Sequence, residues 1–390
     1  MITVEDALSK LFELAQPLQA EMVPLRAAAG RVLARPVSAT RDQPPFAASA
    51  MDGYALRGSD ASAGARFDVV GEAAAGHHWE GTLAPGQALR IFTGAPLPIS
   101  ADRVVIQEDT IRTGSVITLE ESLDAGPHVR PAGADFRAGD MMEAPRLIGP
   151  HDIALLAAMN IAQVPVSRRP SVAIIATGDE LALPGEVPGP GQIIASNTFG
   201  LAALIEAHGG TARLLPVARD HVASLKTAFA LARDADLILT VGGASVGDHD
   251  LVGRVAQDLG LLRSFYKIAM RPGKPLMAGK LGQAVMVGLP GNPVSAMVCG
   301  HVFILPMLRA MLGLGNSPTP SFAATLGVDL PANGPRAHYM RAHLEAGIVT
   351  PATSQDSALL SVLTRSNALL IRPAHEPARA SGSNARVMTL

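Results

Sequence analysis

Val172-Ala173-Ile174-Ile175-Ala176-Thr177-Gly178-Asp179-Glu180 decides the fold: an unbroken apolar run ends in a turn bearing two carboxylates. A strand exposed on one face alternates, whereas an unbroken run is a strand buried on both faces. Downstream the pattern recurs. Asn197–Ala207 reads as a helix, capped by Ser196 and stopped by Gly209-Gly210. Residues 213–217 are the next strand candidate, 221–233 the next helix and 237–240 a third strand. Residues 251–259 are helical, Ala284–Leu289 is another buried strand, and 294–312 a long helix. Strands alternating with helices predict an α/β domain with a parallel-rich sheet covered on both faces.

Outward from this block the pattern changes. Short β-like pieces at 67–70, 88–92, 103–107 and 116–119 are separated by Gly and Pro turns, which predicts an all-β module over 41–135. Residues 149–162 are helical again and are expected to pack beside an N-terminal amphipathic helix carrying Val4, Ala7, Leu8, Leu11 and Ala15. That pairing makes the β-module an insertion. Beyond Ser317-Pro318-Thr319-Pro320 a further β-rich region follows. A length of 390 residues, at about 150 residues per domain, already calls for more than one.

Composition excludes several classes. A net charge of -2 with no basic run offers no footprint for nucleic acid. The single Cys299 allows neither an intrachain disulfide nor a multi-cysteine metal site, and its apolar setting predicts a buried thiol. A cytoplasmic location is the expectation, with no signal-peptide pattern at the start. Residues 281–308 lack Asp, Glu, Lys and Arg, yet Gly288-Leu289-Pro290-Gly291-Asn292-Pro293 interrupts them, so strand, turn and helix are expected instead of a membrane span.

Ligands of open α/β sheets bind beyond the carboxyl ends of the strands. Three buried runs here end in conspicuous loops: Thr177-Gly178-Asp179-Glu180, Gly242-Gly243-Ala244-Ser245-Val246-Gly247-Asp248-His249-Asp250, and Pro290-Gly291-Asn292-Pro293. Gly242-Gly243 permits close backbone approach to phosphate, with Ser245 as a donor. Asp248 and Asp250 are hard oxygen ligands suited to Mg²⁺. Lys267, Arg271 and Lys274, around the turn Arg271-Pro272-Gly273-Lys274, supply a cationic clamp for phosphate or oxyanion. Taken singly, the glycine pair also reads as a bare turn, Asp179-Glu180 as a helix start, and the cations as solvated surface.

Together with Ser49-Ala50-Met51-Asp52-Gly53-Tyr54-Ala55 and Phe92-Thr93-Gly94-Ala95-Pro96-Leu97-Pro98, these motifs occur in an order that resembles the molybdopterin molybdenumtransferase family (MoeA and the gephyrin E domain). The resemblance spans nearly the whole chain. It implies an enzyme that takes adenylylated molybdopterin and molybdate, uses Mg²⁺, releases AMP and yields molybdenum cofactor. It implies a helical domain of 1–40 with 136–168, an inserted β-domain of 41–135, a MogA-like α/β domain of 169–316 and a C-terminal β-domain of 317–390. A homodimer is implied, with a MogA-like adenylyltransferase as a possible partner. Carried onto matching positions, Asp52, Glu180, Asp220 and Asp250 resemble the family's functional acids, with Glu180, Asp248 and Asp250 toward the metal. Thr93, Gly242, Gly243, Ser245, Lys267, Arg271, Lys274, Pro290, Asn292 and Pro293 lie in its pocket motifs. Arg130 and Asp135 match a further site, where Ala134 replaces the usual Glu; Ala47-Ala48 likewise replaces a polar pair. The rival readings are a MogA-like adenylyltransferase and a non-catalytic scaffold protein.

Overall fold

The computed structural model describes residues 1–243 and 251–390. Two compact units emerge, one of Met1–Glu21, Gly30–Ala34 and Val166–Leu390, the other of Met22–Ala29 and Arg35–Pro165. Helix α1 (Val4–Leu14) opens with a capping box: the Asp6 amide donates to Thr3 Oγ1 at 3.0 Å and the Thr3 amide to Asp6 Oδ2 at 3.2 Å. Two otherwise unpaired amides are thereby satisfied. Its Val4, Leu8 and Leu11 face joins the α/β core beside Phe265, Leu308 and Met311. The sequence had set this helix beside 149–162. Its apolar stripe is instead used up by the first unit, while α2 (Pro150–Ala158) belongs to the second and contacts the Leu25–Ala27 turn.

The second unit is built on β1 (Ala48–Ser49), β2 (Gly53–Leu56), β3 (Arg66–Ala73), β4 (Gln87–Ile91), β5 (Arg103–Ile106), β6 (Thr110–Thr113), β7 (Val116–Leu119) and β8 (Val129–Arg130). Six of them form one sheet in the order β5-β2-β4-β3-β7-β6, and β8 pairs with β1. Alternate side chains of β2 go to opposite faces, as the two-residue period requires. Tyr54 and Leu56 pack with Phe67 and Ile117, and Ala55 with Leu89, Ile91 and Val104.

The first unit holds β9 (Ser171–Ala176), α3 (Asn197–Ala207), β10 (Thr211–Leu214), α4 (Val222–Ala232), β11 (Leu237–Val241), α5 (Leu251–Asp258), β12 (Leu262–Tyr266), β13 (Met270–Arg271), β14 (Met277–Leu281) and β15 (Ala284–Leu289). Helices α6 (Pro293–Cys299) and α7 (Leu305–Met311) follow, joined by π-helical Gly300–Ile304. The sheet order is β10-β9-β11-β15-β14-β12, parallel through the first four strands and antiparallel at β14 and β12. Val172 and Ile174 face α3, α6 and α7; Ala173 and Ile175 face α4 and α5. Burial on both sides is why the run carries no polar break. The apolar stretch Pro293–Met311 is long enough to cross a membrane by length and composition, but 83% of its most apolar window is buried in the unit. It is a core helix of this unit.

Two local expectations fail. Ser196 does not cap α3: its backbone is already helical, and its hydroxyl donates sideways to Asn197 Oδ1 at 3.2 Å. A working cap needs extended backbone and a free acceptor oxygen. The long helix is also broken by its π-helical turn, where Gly300 admits α3; a Cβ there would meet Leu204 Cδ2 at 2.8 Å. Phe303 in that turn is fully buried, so Phe303→Ala is expected to destabilise the unit by about 3–5 kcal/mol. Urea unfolding followed by circular dichroism checks it.

A closed barrel completes the first unit. Strands β16 (Phe322–Leu326), β17 (Ala337–Glu345), β18 (Ile348–Pro351), β19 (Ala368–Arg372) and β20 (Asn384–Thr389) pair in the ring β17-β18-β16-β20-β19, with β19 closing back on β17. Leu326, Val349, Leu370 and Val387 fill it. Strand β13 adds to the outside of β17 in parallel register, Met270 opposite Ala337 and Arg271 opposite His338.

Candidate functional site

The parallel strands β9, β11 and β15 end at one level, because Ala176 is the register partner of Val241 and Val241 of Leu289. The three loops singled out from sequence therefore leave the sheet side by side. Backbone bonds tie them: Thr177 N donates to Val241 O at 3.0 Å and Gly242 N to Leu289 O at 3.2 Å. A cleft of about 1200 Å³ opens above them. Glu180, Gly242, Gly243, Arg271, Lys274, Pro290, Asn292 and Pro293 all line it.

Glycine is needed at Gly242 for two reasons. Its φ is +95°, and a Cβ would stand 2.6 Å from the Thr177 carbonyl oxygen. The Arg271-Pro272-Gly273-Lys274 turn is closed by Ile268 N donating to Lys274 O at 3.0 Å, and is underpinned by Cys299. The thiol is fully buried, its pKa pushed up by burial, and a Cβ on Gly273 would lie 2.6 Å from its Sγ.

The barrel supplies a wall that the sequence reading missed. Arg336, Gln355, Asp356 and Ser357 line the cleft, as does Asn197 of α3. Gln355 is locked to β17, accepting from Arg341 N at 3.0 Å and donating to Arg341 O at 2.9 Å. Asn292 Nδ2 donates to Ser357 Oγ at 3.0 Å, and Asn197 Nδ2 to Gly291 O at 2.7 Å. These contacts join positions far apart in the chain, so no local pattern marks them. Among the described lining residues Arg271, Lys274 and Arg336 face Glu180 and Asp356. The cationic excess suits an anionic ligand. Buried His338, beside Arg271 in the seam, is pushed down to about 4 by burial and then by Arg271, Arg341, Arg372 and Arg336. It is neutral at pH 7 and adds nothing to that excess.

Other sequence-selected residues lie off this cleft. Lys267 sits at φ +67° with its ammonium 4.9 Å from the centre of the Tyr266 ring, and is not in the lining. Asp220 is also outside the lining; its amide donates to Asp179 Oδ1 at 3.1 Å, which occupies that carboxylate as a loop tie. Ser245, Asp248 and Asp250 lie outside the described residues. Among the described residues no group of three or more His, Cys, Asp or Glu side chains is placed to hold a metal.

The second unit gathers a cluster of its own. The Ser49-Ala50-Met51-Asp52 turn is held by Gly94 N donating to Ser49 O at 2.8 Å and Ala50 N to His128 O at 2.8 Å. Asp52 Oδ1 accepts from Thr93 N at 2.8 Å and Thr93 Oγ1 at 2.7 Å. Those two donors, the amide first, hold the exposed Asp52 carboxyl below the usual range, with Arg90 adding to the effect. Arg130 pairs on β8 with Ala48, and Asp135 N donates to Gln43 O at 2.9 Å. Three sequence motifs thus meet around one turn.

Comparison with known proteins covers nearly the whole chain. Residues 2–160 match the MoeA N-terminal region (domain I and II), 173–310 a probable molybdopterin binding domain, and 323–390 the MoeA C-terminal region (domain IV). The molybdopterin molybdenumtransferase of Nostoc sp. is 36% identical over 100% of this chain and 94% of its own length. That of Haemophilus influenzae is 34% identical over 95% of this chain and 94% of its own. The crystal structure of a molybdopterin biosynthesis MoeA protein from Pyrococcus horikoshii superposes with a TM-score of 0.88 at 30% identity, covering 100% of this chain and 99% of that one. With its α/β layer, its barrel and its second unit all matched along their length, the chain belongs to the molybdopterin molybdenumtransferase family.

Proposed function

We propose that this enzyme makes molybdenum cofactor by inserting molybdenum into molybdopterin, taking adenylylated molybdopterin and molybdate and releasing AMP. The observation that carries this reading is the cleft above the level strand ends, large enough for a nucleotide-bearing ligand and lined by both signs of charge. Gly242 and Gly243 let the ligand's phosphates approach main chain, and Arg271 and Lys274 compensate their charge. Asn197 and Asn292 are braced against neighbouring loops and hold the cleft's shape. Asp52, whose carboxylate is held by Thr93, is assigned from the resemblance to help orient the incoming molybdate or metal.

Mg²⁺ is part of the proposal. Glu180 and Asp356 put carboxylate oxygens on the described wall, the hard donors that Mg²⁺ takes, and Asp248 and Asp250 are assigned with them from sequence. When bound, Mg²⁺ would neutralise phosphoryl oxygens as a Lewis acid. We further infer a cytoplasmic homodimer that receives its substrate from a MogA-like adenylyltransferase.

AMP release from adenylylated molybdopterin, with and without molybdate, tests the reading. Release coupled to molybdate is expected, with Asp52→Asn and Glu180→Gln each lowering turnover about a hundredfold or more. Full molybdenum insertion by both variants would refute the assigned roles.

A further inference from the structure

Arg90 lies one residue from the end of β4, on the strand that runs into Phe92-Thr93. Its guanidinium carbon is 5.0 Å from the centre of the Tyr54 ring and 4.7 Å from that of Phe92. Nη1 donates to Gly53 O at 3.1 Å and Nη2 to Gln107 Oε1 at 2.8 Å. Gln107 in turn donates its amide to Asp52 O at 3.1 Å. Each segment reached by Arg90 is thus one that borders or holds Asp52.

The sheet itself does not require this brace. Strands β2 and β4 are already paired at Gly53–Ile91, Tyr54–Arg90 and Ala55–Leu89, and Tyr54 is buried in the core below. What the guanidinium adds is at the end of the strands, where backbone pairing stops and the Asp52-Gly53 turn begins. A planar fork that stacks on rings while donating two directed bonds is specific to arginine; lysine offers a single point charge. The other charged groups near it are Glu72, its register partner on β3, and Glu108, which accepts from Gln107 Nε2 at 3.3 Å.

We propose that Arg90 is a positioning residue for Asp52, fixing the Asp52-Gly53 turn against Phe92-Thr93 so that the carboxylate keeps one orientation. The inference rests on the role given to Asp52 above. Misplacement of a reacting group by about 1 Å can cost on the order of a hundredfold in rate, so a lost brace should be felt in kcat.

The experiment is a double-mutant cycle in steady-state AMP release from adenylylated molybdopterin and molybdate, with thermal unfolding measured on every variant. Arg90→Gln is expected to lower kcat roughly tenfold or more with little change in KM, and Arg90→Lys to recover only part of that loss. In an Asp52→Asn background, Arg90→Gln is expected to add no further loss. Should Arg90→Gln fail to fold, Phe92→Leu and Gln107→Ala, each removing one partner of the guanidinium, carry the same cycle. An unchanged kcat, or losses that multiply with that of Asp52→Asn, overturns the proposal. If Asp52→Asn itself keeps full activity, the Asp52 reading fails and takes this inference with it. If Asp52→Asn falls while Arg90→Gln does not, only the role of Arg90 is wrong.

Discussion

Gly242→Val is expected to abolish molybdenum transfer and to lower the melting temperature together. A left-handed backbone at φ +95° strains any branched residue by about 1–3 kcal/mol. The new Cβ would lie 2.6 Å from Thr177 O and 3.1 Å from Thr177 Oγ1, so the two loops must part. Overpacking of this kind adds typically about 1–3 kcal/mol. The displaced atoms are backbone of the Thr177 loop, and Gly291 packs on the other side, where a Cβ would lie only 3.4 Å from Gly242 Cα. Movement therefore spreads to all three strand-end loops. Scanning calorimetry and the AMP-release assay measure both effects; a folded Gly242→Val protein with ordinary turnover would mean that the glycine is not where the ligand rests.

Removing both cations of the Arg271-Pro272-Gly273-Lys274 turn is the second large expectation. Two unit charges about 4 Å apart interact by roughly 4 kcal/mol at an effective dielectric of 20. Arg271 is exposed and Lys274 half-exposed, so screening reduces that figure. About 1.4 kcal/mol per tenfold then makes each alanine substitution worth roughly tenfold to a hundredfold in binding. Arg271→Ala with Lys274→Ala should bind AMP and molybdate far more weakly by calorimetry. Wild-type affinity should fall as salt rises, and the double variant should lose most of that dependence. Equal affinity in the two proteins at low salt would remove the clamp from the mechanism.

Legibility followed the range of the contacts. The β9 run could be read because burial on both faces leaves its mark on consecutive residues. The three loops could be read because glycine and proline announce sharp turns wherever they occur. The antiparallel edge was lost: β12 mixes Arg263 and Ser264 among its apolar residues, and β14 passes through Ala278-Gly279-Lys280, so neither carries a β-branched signature. Lys267 was grouped with Arg271 and Lys274 by nearness in sequence, but its ammonium sits at the Tyr266 ring and does not line the cleft. Arg336, Gln355 and Ser357 could not be found locally, since what brings them to the cleft is closure of a barrel through β17 and β19. Arg90 was hidden for another reason: an arginine within a strand is unremarkable until the rings beside it are seen.

The parallel seam between Met270-Arg271 and Ala337-His338 makes the α/β layer and the barrel less interchangeable than their separate sequence matches suggest. A chimera that grafts a relative's barrel must reproduce this short backbone graft as well as the surrounding fold. Otherwise the Arg271-Pro272-Gly273-Lys274 turn loses its anchor while both halves still fold. Evolution is thus expected to have traded these two regions jointly, as one inherited cassette.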